Sequence, residues 1–91
     1  MQFMWDARKA QSNFEKHNVR FEVAIRVFQD EGRISAQDMR FDYGEVRLIT
    51  SGLIEGRLHV VVHVDDADEG TTRIISARKA NKRERKAHGT G

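Results

Sequence analysis

The sequence contains neither cysteine nor proline. Without cysteine the chain can form no disulfide, no thiolate zinc site, no iron–sulfur cluster and no cysteine nucleophile, and this composition fits a reducing compartment. The absence of proline favours continuous secondary-structure elements that are joined by tight glycine turns. We therefore expect a cytoplasmic protein whose chemistry depends on side chains other than cysteine.

Long apolar runs are also missing. No run approaches the length of a membrane span, and residues 1–6 show no basic leader followed by an apolar stretch. We therefore expect no contact with a membrane and no secretory signal.

The chain has 91 residues, of which 38% are hydrophobic and 33% charged, and five phenylalanines and one tryptophan supply aromatic anchors. A chain of this length and composition predicts one domain over residues 1–88 and a flexible tail over residues 89–91.

Charge is distributed unevenly along the chain. Residues 31–72 contain four Lys/Arg against nine Asp/Glu, whereas residues 73–91 contain seven against one. Clustered Lys and Arg are typical of a surface that binds polyanions, and a solvated helix face is the alternative interpretation. The acidic run over residues 65–69 is followed by Gly70 and indicates a solvated hairpin turn, because it lacks the alternating ligand spacing of a calcium loop.

A short strand and a helix are predicted at the start of the chain. Phe3 and Trp5 alternate with their neighbours, as residues in a strand do, and we interpret Trp5 as a core residue. Asp6 stands where a helix over residues 7–16 needs an N-cap. Asn18 can adopt the left-handed conformation with which such a helix ends.

A second helix is predicted over residues 21–30, and Gly32 ends it. Its apolar residues recur at the i, i+3, i+4, i+7 spacing of an amphipathic helix. They are Phe21, Ala24, Ile25 and Phe28. We predict that this stripe belongs to the hydrophobic core.

The hydrophobic period changes to two after residue 45, and this change indicates strands. The predicted strands cover residues 46–53, 57–64 and 71–77. Turns are predicted at Glu55-Gly56 and at Gly70. The segment before these strands is weakly patterned: residues 33–36 are compatible with a short strand, and residues 37–44 with an exposed loop anchored by Phe41 and Tyr43.

Asn81 and Glu84 have the spacing of a capping box, which predicts a final helix over about residues 82–88. The predicted order is therefore a short strand, two helices, an antiparallel meander and a C-terminal helix. This order is typical of an α+β fold in which the two early helices pack on one face of a small antiparallel sheet. The second face of the sheet is left for solvent, a partner or a ligand.

His59 and His63 invite a metal-site interpretation because both lie on the clearest predicted strand. On a strand, residues four positions apart share a face but are separated by roughly 13 Å. Two ligands of one zinc ion cannot be that far apart. We therefore interpret both as half-buried polar positions on the open face of the sheet, and we expect no metal and no cofactor.

The remaining polar groups suit the cleavage of RNA by its own 2′-hydroxyl. This reaction needs a base for the hydroxyl, an acid for the leaving oxygen and a cation for the phosphorane, and histidine and arginine supply these functions. The candidate groups are His17, His59, His63, His88, Arg47, Arg73 and Arg78. Because such residues occur in many proteins, they permit this chemistry without demonstrating it.

Two stretches carry a specific combination of residues. The first is Phe3-x-Trp5-Asp6-x-x-Lys9-x-x-x-Asn13-x-x-Lys16-His17-x-Val19-x-Phe21. The second is Arg73-Ile74-Ile75-Ser76-Ala77-Arg78-Lys79-Ala80-Asn81-x-x-Glu84-Arg85, and Gly44-Glu45-x-Arg47 lies between them. In this order and spacing, over about residues 3–86, the chain resembles the BrnT family of bacterial type II toxins.

The resemblance implies a fold similar to that of the RelE/ParE toxins and an endoribonuclease activity that arrests translation and growth. It further implies neutralisation by an antitoxin of the BrnA type, which carries a ribbon-helix-helix DNA-binding domain. We expect the complex to be a heterotetramer that binds operator DNA only through the antitoxin and represses its own operon. The absence of cysteine and of a ligand cluster predicts that cleavage is independent of metal ions.

The site residues follow from the resemblance together with the chemistry of phosphate. We predict catalytic roles for His17, Arg73 and Arg78, with a helix-capping role as the alternative for His17. The residues predicted to bind RNA are Lys16, Lys79, Lys82, Arg83, Arg85 and Lys86. The basic residues of the last helix could instead face an acidic segment of the antitoxin.

The roles of Glu84 and His88, and the function of the whole chain, each have an alternative interpretation. Glu84 is interpreted as a capping-box partner, with general base as its alternative role. The family pattern places an aromatic residue near the position of His88, so His88 could transfer protons or belong to the tail. A non-catalytic nucleic-acid-binding or antitoxin-binding corepressor is the second functional hypothesis, and a small structural α+β protein is the third.

Overall fold

The structure is a computed structural model and describes residues 1–40, 42 and 44–89. The predicted anchors Phe41 and Tyr43, and Thr90 and Gly91 of the predicted tail, lie outside the described residues. The strands are β1 (Gln2–Met4), β2 (Ile34–Gln37), β3 (Leu48–Ile54), β4 (Arg57–Asp66) and β5 (Thr71–Lys79). The helices are α1 (Ala7–His17), α2 (Phe21–Ala24) and α3 (Lys82–His88), and a 3₁₀ helix over Ile25–Gln29 continues α2. In the described part of the chain, no helix is long and apolar enough to cross a membrane.

The five strands form one sheet in the order β1-β5-β4-β3-β2. β2, β3, β4 and β5 pair antiparallel as predicted, but β1 pairs parallel to β5. The α+β class is therefore confirmed, whereas the prediction of a purely antiparallel sheet is wrong. The parallel pair joins Gln2 to Thr71, and no local sequence pattern indicates a pairing between the two ends of the chain.

α1 begins at the predicted residue and ends at His17, one residue after the predicted end. The Asp6 carboxylate accepts hydrogen bonds from the backbone N–H groups of Arg8 (2.8 Å) and Lys9 (3.1 Å). Asn18 has φ 58° and donates its backbone N–H to the carbonyl oxygen of Phe14. Both predicted caps are thus confirmed, because the Asp6 side chain and the tolerance of Asn18 for the left-handed conformation are local signals.

The second helix is only partly α-helical. After Ala24 it continues as a 3₁₀ helix, whose three residues per turn align Phe21, Ala24 and Val27 on one side. These three residues are fully buried, whereas Ile25 and Phe28 of the predicted stripe are only partly buried against the core. The α-helical period therefore missed Val27 as a core residue.

The 3₁₀ helix lies directly against β3. A Cβ atom built on Gly52 would lie 2.9 Å from the carbonyl oxygen of Val27, so glycine is required for this close approach. We call the side of the sheet that α2 and the 3₁₀ helix cover the helix face. Its core contacts include Val61, Ile74 and Ala77.

The opposite side, which we call the open face, is partly covered. Leu58, Val60 and Ala80 form a second buried cluster there, and Ile49 and Leu53 pack against it. Ala80 donates its backbone N–H to the carbonyl oxygen of Leu58 at 2.9 Å, and this bond fixes the chain at the start of α3. The rest of the open face carries the polar residues of β5.

His59 and His63 do not lie on the open face. Their partners on β3 are Gly52 and Leu48, so both histidines belong to the helix face, and both are buried. The interpretation as half-buried open-face residues is therefore wrong, because the helices cover the face to which the strand period assigns them. Burial lowers the pKa of His59, whose Nδ1 lies 2.8 Å from the carbonyl oxygen of Arg57.

His63 is bonded on both sides of its ring. Nδ1 lies 2.8 Å from Asp65 Oδ1 and Nε2 lies 2.7 Å from Thr50 Oγ1, which in turn is 2.7 Å from Ser35 Oγ. The Phe28 ring packs edge-on against the imidazole with a centroid separation of 4.9 Å. His63 is therefore a core residue whose hydrogen bonds connect β2, β3 and β4.

Asn13 closes the edge of β5 that β1 leaves uncovered. Its amide Nδ2 donates to the carbonyl oxygen of Ala77 at 2.9 Å, and the Ala77 N–H donates to Asn13 Oδ1 at 3.0 Å. The same Nδ2 donates to the carbonyl oxygen of Val19 at 3.0 Å. The buried side-chain amide thus replaces the peptide group of a neighbouring strand and fixes α1 beside β5.

Candidate ribonuclease site

A β-bulge determines which side chains of β5 reach the open face. Arg78, Ser76 and Arg73 stand opposite Val60, Val62 and Val64, which alternate on one face of β4. Opposite the adjacent pair Val62 and His63, β5 contributes Ser76 and Ile74, so Ile75 is the extra residue. The bulge therefore brings both predicted catalytic arginines to the same face.

Arg78 is held by a carboxylate of α3. Its Nη1 and Nη2 donate to Glu84 Oε1 and Oε2 at 2.7 and 2.8 Å, which is the bidentate geometry of an arginine–carboxylate pair. Glu84 also accepts the backbone N–H of Asn81, and Asn81 Oδ1 accepts the N–H of Glu84, so the predicted capping box is confirmed. The Arg78 guanidinium, helped by the Asn81 N–H, lowers the pKa of Glu84 to about 2.

Arg73 and Arg47 share a second carboxylate near the other end of β5. Arg73 Nη2 donates to Glu45 Oε2 at 2.8 Å, and Arg47 Nε lies 3.7 Å from Glu45 Oε1. All three side chains are only partly exposed. Glu45 therefore lies between two guanidinium groups, hydrogen-bonded to Arg73 and within ion-pair distance of Arg47. The sequence signal for it was the Gly44-Glu45-x-Arg47 part of the family pattern.

His17 lies in a cleft between α1 and the edge of β5. The cleft has a volume of about 300 Å³, and it is lined by Lys9, Ser12, Asn13, Lys16, His17, Arg47, Ile75 and Ser76. Asn18 caps α1, and within the described part of the chain the imidazole of His17 has no hydrogen-bond partner. The geometry therefore leaves the ring nitrogens of His17 available, beside the cations Lys9, Lys16 and Arg47.

The three predicted catalytic residues do not meet at one point. Arg73 and Arg78 face Val64 and Val60, which are four positions apart on β4. This separation corresponds to about 13 Å at the usual rise of a strand. His17 shares its cleft with Arg47, which in turn shares Glu45 with Arg73, so the cleft and the Arg73 end of the open face form one site.

The residues predicted to bind RNA are distributed over both faces. Lys16 lines the His17 cleft, but Lys79 pairs with His59 and thus belongs to the helix face rather than beside Arg78. Arg85 donates Nη1 to the carbonyl oxygen of Ala80 at 3.2 Å. Lys82, Arg83 and Lys86 of α3 are exposed, and no acidic side chain of the described residues pairs with them.

His88 ends α3 and is not simply part of a tail. Both its ring nitrogens are buried, and neither has a hydrogen-bond partner among residues 1–40, 42 and 44–89. The ring lines a second cleft, with Ile34, Ser51, Leu58, Glu84 and Ala87. An unpaired buried polar group is costly, so this position can be satisfied by a group from outside the chain.

No cluster of three or more His, Asp or Glu side chains within the described ranges could hold a metal ion.

In a comparison with protein families, residues 5–84 match a family model described as a ribonuclease toxin, BrnT, of a type II toxin–antitoxin system. A search of curated proteins found no match. The matched range includes α1, the whole sheet from β2 onward, and α3 as far as Glu84.

Proposed function

Because the chain belongs to the BrnT family of type II toxin–antitoxin ribonuclease toxins, we propose that it cleaves RNA internally, without a metal ion, by attack of a 2′-hydroxyl on the adjacent phosphate. Membership of this family implies an RNA target and an antitoxin partner. In the proposed reaction a base removes the 2′-hydroxyl proton, the oxygen bonds to phosphorus, and the bond to the 5′-oxygen breaks as that oxygen takes up a proton.

The unpaired imidazole of His17 is the observation that supports this proposal. It lies in a cleft with Arg47, Lys9 and Lys16, so an imidazole that can accept and donate a proton stands beside cations that can stabilise a phosphorane. Among the described residues Asn18 already caps α1, which leaves His17 without a structural hydrogen bond to satisfy. We assign proton transfer to His17.

The arginines of the open face receive distinct roles in the proposal. Arg73 and Arg47 bind the reacting phosphate, since both guanidinium groups lie next to the Glu45 carboxylate and Arg47 lines the cleft. Arg78 binds a phosphate further along the RNA, about 13 Å away, while its guanidinium stays paired with Glu84. Direct contact of Arg78 with the reacting phosphate would need a movement of one of the two groups.

The basic residues of α3 supply affinity rather than chemistry. We propose that Lys16 and the basic residues of α3 contact RNA phosphates, and that Lys79 does so only where the RNA passes the end of β5. The RNA-binding set is therefore Lys16, Lys79, Lys82, Arg83, Arg85 and Lys86. Electrostatic contacts of this kind carry no sequence information.

The finer properties implied by the family resemblance are also proposals. The fold is similar to that of the RelE/ParE toxins, since helices cover one face of its sheet while the other carries the arginines. The antitoxin is of the BrnA type with a ribbon-helix-helix domain, and the complex is a heterotetramer that represses its own operon. Cleavage takes place in the cytoplasm.

The mechanism is tested with three substrates and a chelator. An RNA should be cut in the presence of EDTA, and its products should carry 2′,3′-cyclic phosphate or 3′-phosphate ends. The same RNA with a 2′-deoxy sugar at the cleaved nucleotide should be inert, whereas a 2′-deoxy sugar elsewhere should have no effect. Cleavage of the 2′-deoxy site, or products with 5′-phosphate ends, would contradict the mechanism without contradicting the family assignment.

A non-catalytic corepressor is the second candidate function. It is favoured by one observation, namely that Arg73 and Arg78 are already paired with Glu45 and Glu84 in the free chain. Expression of the chain alone separates the two functions. Growth arrest with RNA fragmentation supports the ribonuclease, and normal growth at high levels of folded protein supports the corepressor.

A further inference from the structure

Among the described residues, no strand covers the outer edge of β2. All four residues of β2 are exposed, and β2 is the last strand of the sheet on that side. Asp38 directs its backbone N–H inward to the carbonyl oxygen of Arg47 at 2.7 Å. Because successive residues of an antiparallel strand direct their N–H and C=O groups to alternate sides, those of Ser35 and Gln37 point outward.

The opposite edge of the sheet, at β5, is covered, so it differs from the edge at β2. β1 covers the beginning of β5, and the Asn13 amide covers Ala77. Unpaired strand edges are sites at which another chain adds. β2 has neither a proline nor a lysine that would discourage such an addition.

An apolar groove lies beside this edge, between β2 and α3. It has a volume of about 230 Å³, with Ile34, Ser51 and Leu58 on the sheet side. Glu84, Ala87 and His88 line the α3 side. Ile34 is 58% exposed although it is apolar, and both ring nitrogens of His88 lack a partner among the described residues. The groove thus offers an apolar contact and a polar group that a ligand can satisfy.

The exposed basic residues of α3 favour an occupant with acidic residues, and the one carboxylate that lines the groove, Glu84, is already paired with Arg78. Lys82, Arg83 and Lys86 are exposed on α3, and within the described residues no carboxylate pairs with them. β2 itself carries no charged residue. A second copy of this chain would place another basic α3 near the first, which like-charge repulsion disfavours.

We propose that an extended, acidic segment of the cognate antitoxin adds to the edge of β2 as a sixth strand and inserts one apolar side chain between Ile34 and α3. The proposal rests on the proposed function, since it requires the antitoxin. A peptide is favoured over RNA because the outward N–H and C=O groups of Ser35 and Gln37 match a polypeptide backbone.

This placement also gives a mechanism of neutralisation. The groove is bounded by Glu84, which holds Arg78, so an occupant lies beside one end of the arginine-bearing open face. Its acidic residues contact the same lysines and arginines of α3 that the proposed function assigns to RNA. Antitoxin and RNA therefore compete for α3.

The decisive variant removes one outward backbone N–H and leaves the hydrogen bonds between β2 and β3 in place. Gln37→Pro deletes the N–H of Gln37, which points away from β3, and Gln37→Ala is the matched control. We expect Gln37→Pro to weaken binding of the antitoxin, supplied as the purified product of the adjacent gene, by about tenfold or more relative to Gln37→Ala. Thermal unfolding of both variants verifies that they are folded.

A second measurement needs no variant. Hydrogen exchange of the wild-type chain should show that the amides of Ser35 and Gln37 become protected when the antitoxin binds. Ile34→Asp should weaken binding about a hundredfold because it puts a carboxylate into an apolar groove, whereas Val23→Asp on α2 should have little effect.

Each contrary outcome has a defined meaning. If the antitoxin binds the wild type but Gln37→Pro and Ile34→Asp bind equally well and the two amides stay unprotected, the docking site is wrong and the proposed function stands. Failure of the wild type to bind the adjacent gene product would overturn both. A wild-type dimer that Ile34→Asp dissociates, or a loss of RNA affinity without loss of antitoxin affinity, would assign the groove to a second copy or to RNA instead.

Discussion

Arg73 and Arg78 project from the same face of β5 although five positions separate them, because Ile75 is an extra residue in a β-bulge. Regular alternation places residues at an odd separation on opposite faces. Without the bulge, one of the two arginines would point toward the helices. The bulge therefore creates the arginine-bearing open face.

Removal of the Arg73 guanidinium should slow RNA cleavage without unfolding the protein. We expect Arg73→Ala to lower the cleavage rate by about 10²-fold, by analogy with the loss of one transition-state hydrogen-bond donor. The change in the free energy of unfolding should stay below about 1 kcal/mol, since Arg73 makes a partly exposed ion pair. Arg57→Ala, on the other face of the sheet, is the control, and an equal loss of rate in that variant would contradict the assignment.

Substitution of His17 separates proton transfer from helix capping. His17→Ala should reduce the cleavage rate by about 10²- to 10⁴-fold and leave the melting temperature unchanged, because Asn18 provides the cap. Asn18→Ala should do the reverse and destabilise the protein by about 1 kcal/mol, since alanine disfavours a φ of 58°. A matched loss of stability and activity in His17→Ala would mean that His17 is structural.

The Arg78–Glu84 pair should make stability depend on acid pH. The pKa of Glu84 is lowered from its ordinary value of 4.5 to about 2, so the ionised form is favoured in the folded state. Its contribution is present above pH 4.5 and is lost as the pH falls toward 2. The free energy of unfolding of wild type should exceed that of Glu84→Gln by about 1 kcal/mol at pH 7, and the two curves should converge in that acid range. A difference that is constant with pH would assign the effect to packing.

RNA affinity should depend steeply on salt if α3 contacts phosphates. With about six contacts, the affinity should fall roughly 10³-fold between about 50 and 200 mM salt, because each neutralised phosphate releases counterions. Replacement of Lys82, Arg83, Arg85 and Lys86 by Gln should flatten this slope, whereas Arg8→Gln with Arg57→Gln should not. An unchanged slope in the α3 variant would exclude this helix as the main RNA contact.

Gly52→Ala tests the close contact between the 3₁₀ helix and β3. The new Cβ would lie 2.9 Å from the carbonyl oxygen of Val27, so the backbone must shift, and we expect a loss of about 2 kcal/mol in the free energy of unfolding. Gly32→Ala is the control, because its Cβ would lie 3.4 Å from its nearest neighbour, Asp30 Oδ1. Equal stability of the two variants would show that the helix can move away.

The sequence predicted the features that depend on neighbouring residues. Asp6, Asn18 and the Asn81–Glu84 capping box stand where the structure has them, because a cap is an interaction within one helical turn. The start of the 3₁₀ segment was not predictable from the sequence. The position of Val27 depends on its contact with Gly52 of β3, and the spacing of apolar residues within a helix carries no information about a contact with a distant strand.

The site was only partly predictable for the same reason. Arg73 and Arg78 could be chosen from the family pattern, but the bulge at Ile75 that aligns them depends on the register between β4 and β5. The cleft that joins His17 to Arg47 arises because Asn13 holds α1 against β5, across 64 positions of sequence. Glu45 belongs to the family pattern, but its position between two arginines depends on the packing of β5 beside the segment before β3.

The bonds from Asn13 to Ala77 and from β1 to β5 also determine when the cleft can assemble during synthesis. Both join the first elements of the chain to its last strand, so neither can form before the ribosome has made β5. Until then α1 has no strand to pack beside, and His17 is not held near Arg47. A chain that is released before β5 is made, or cut within β5, therefore lacks the assembled cleft.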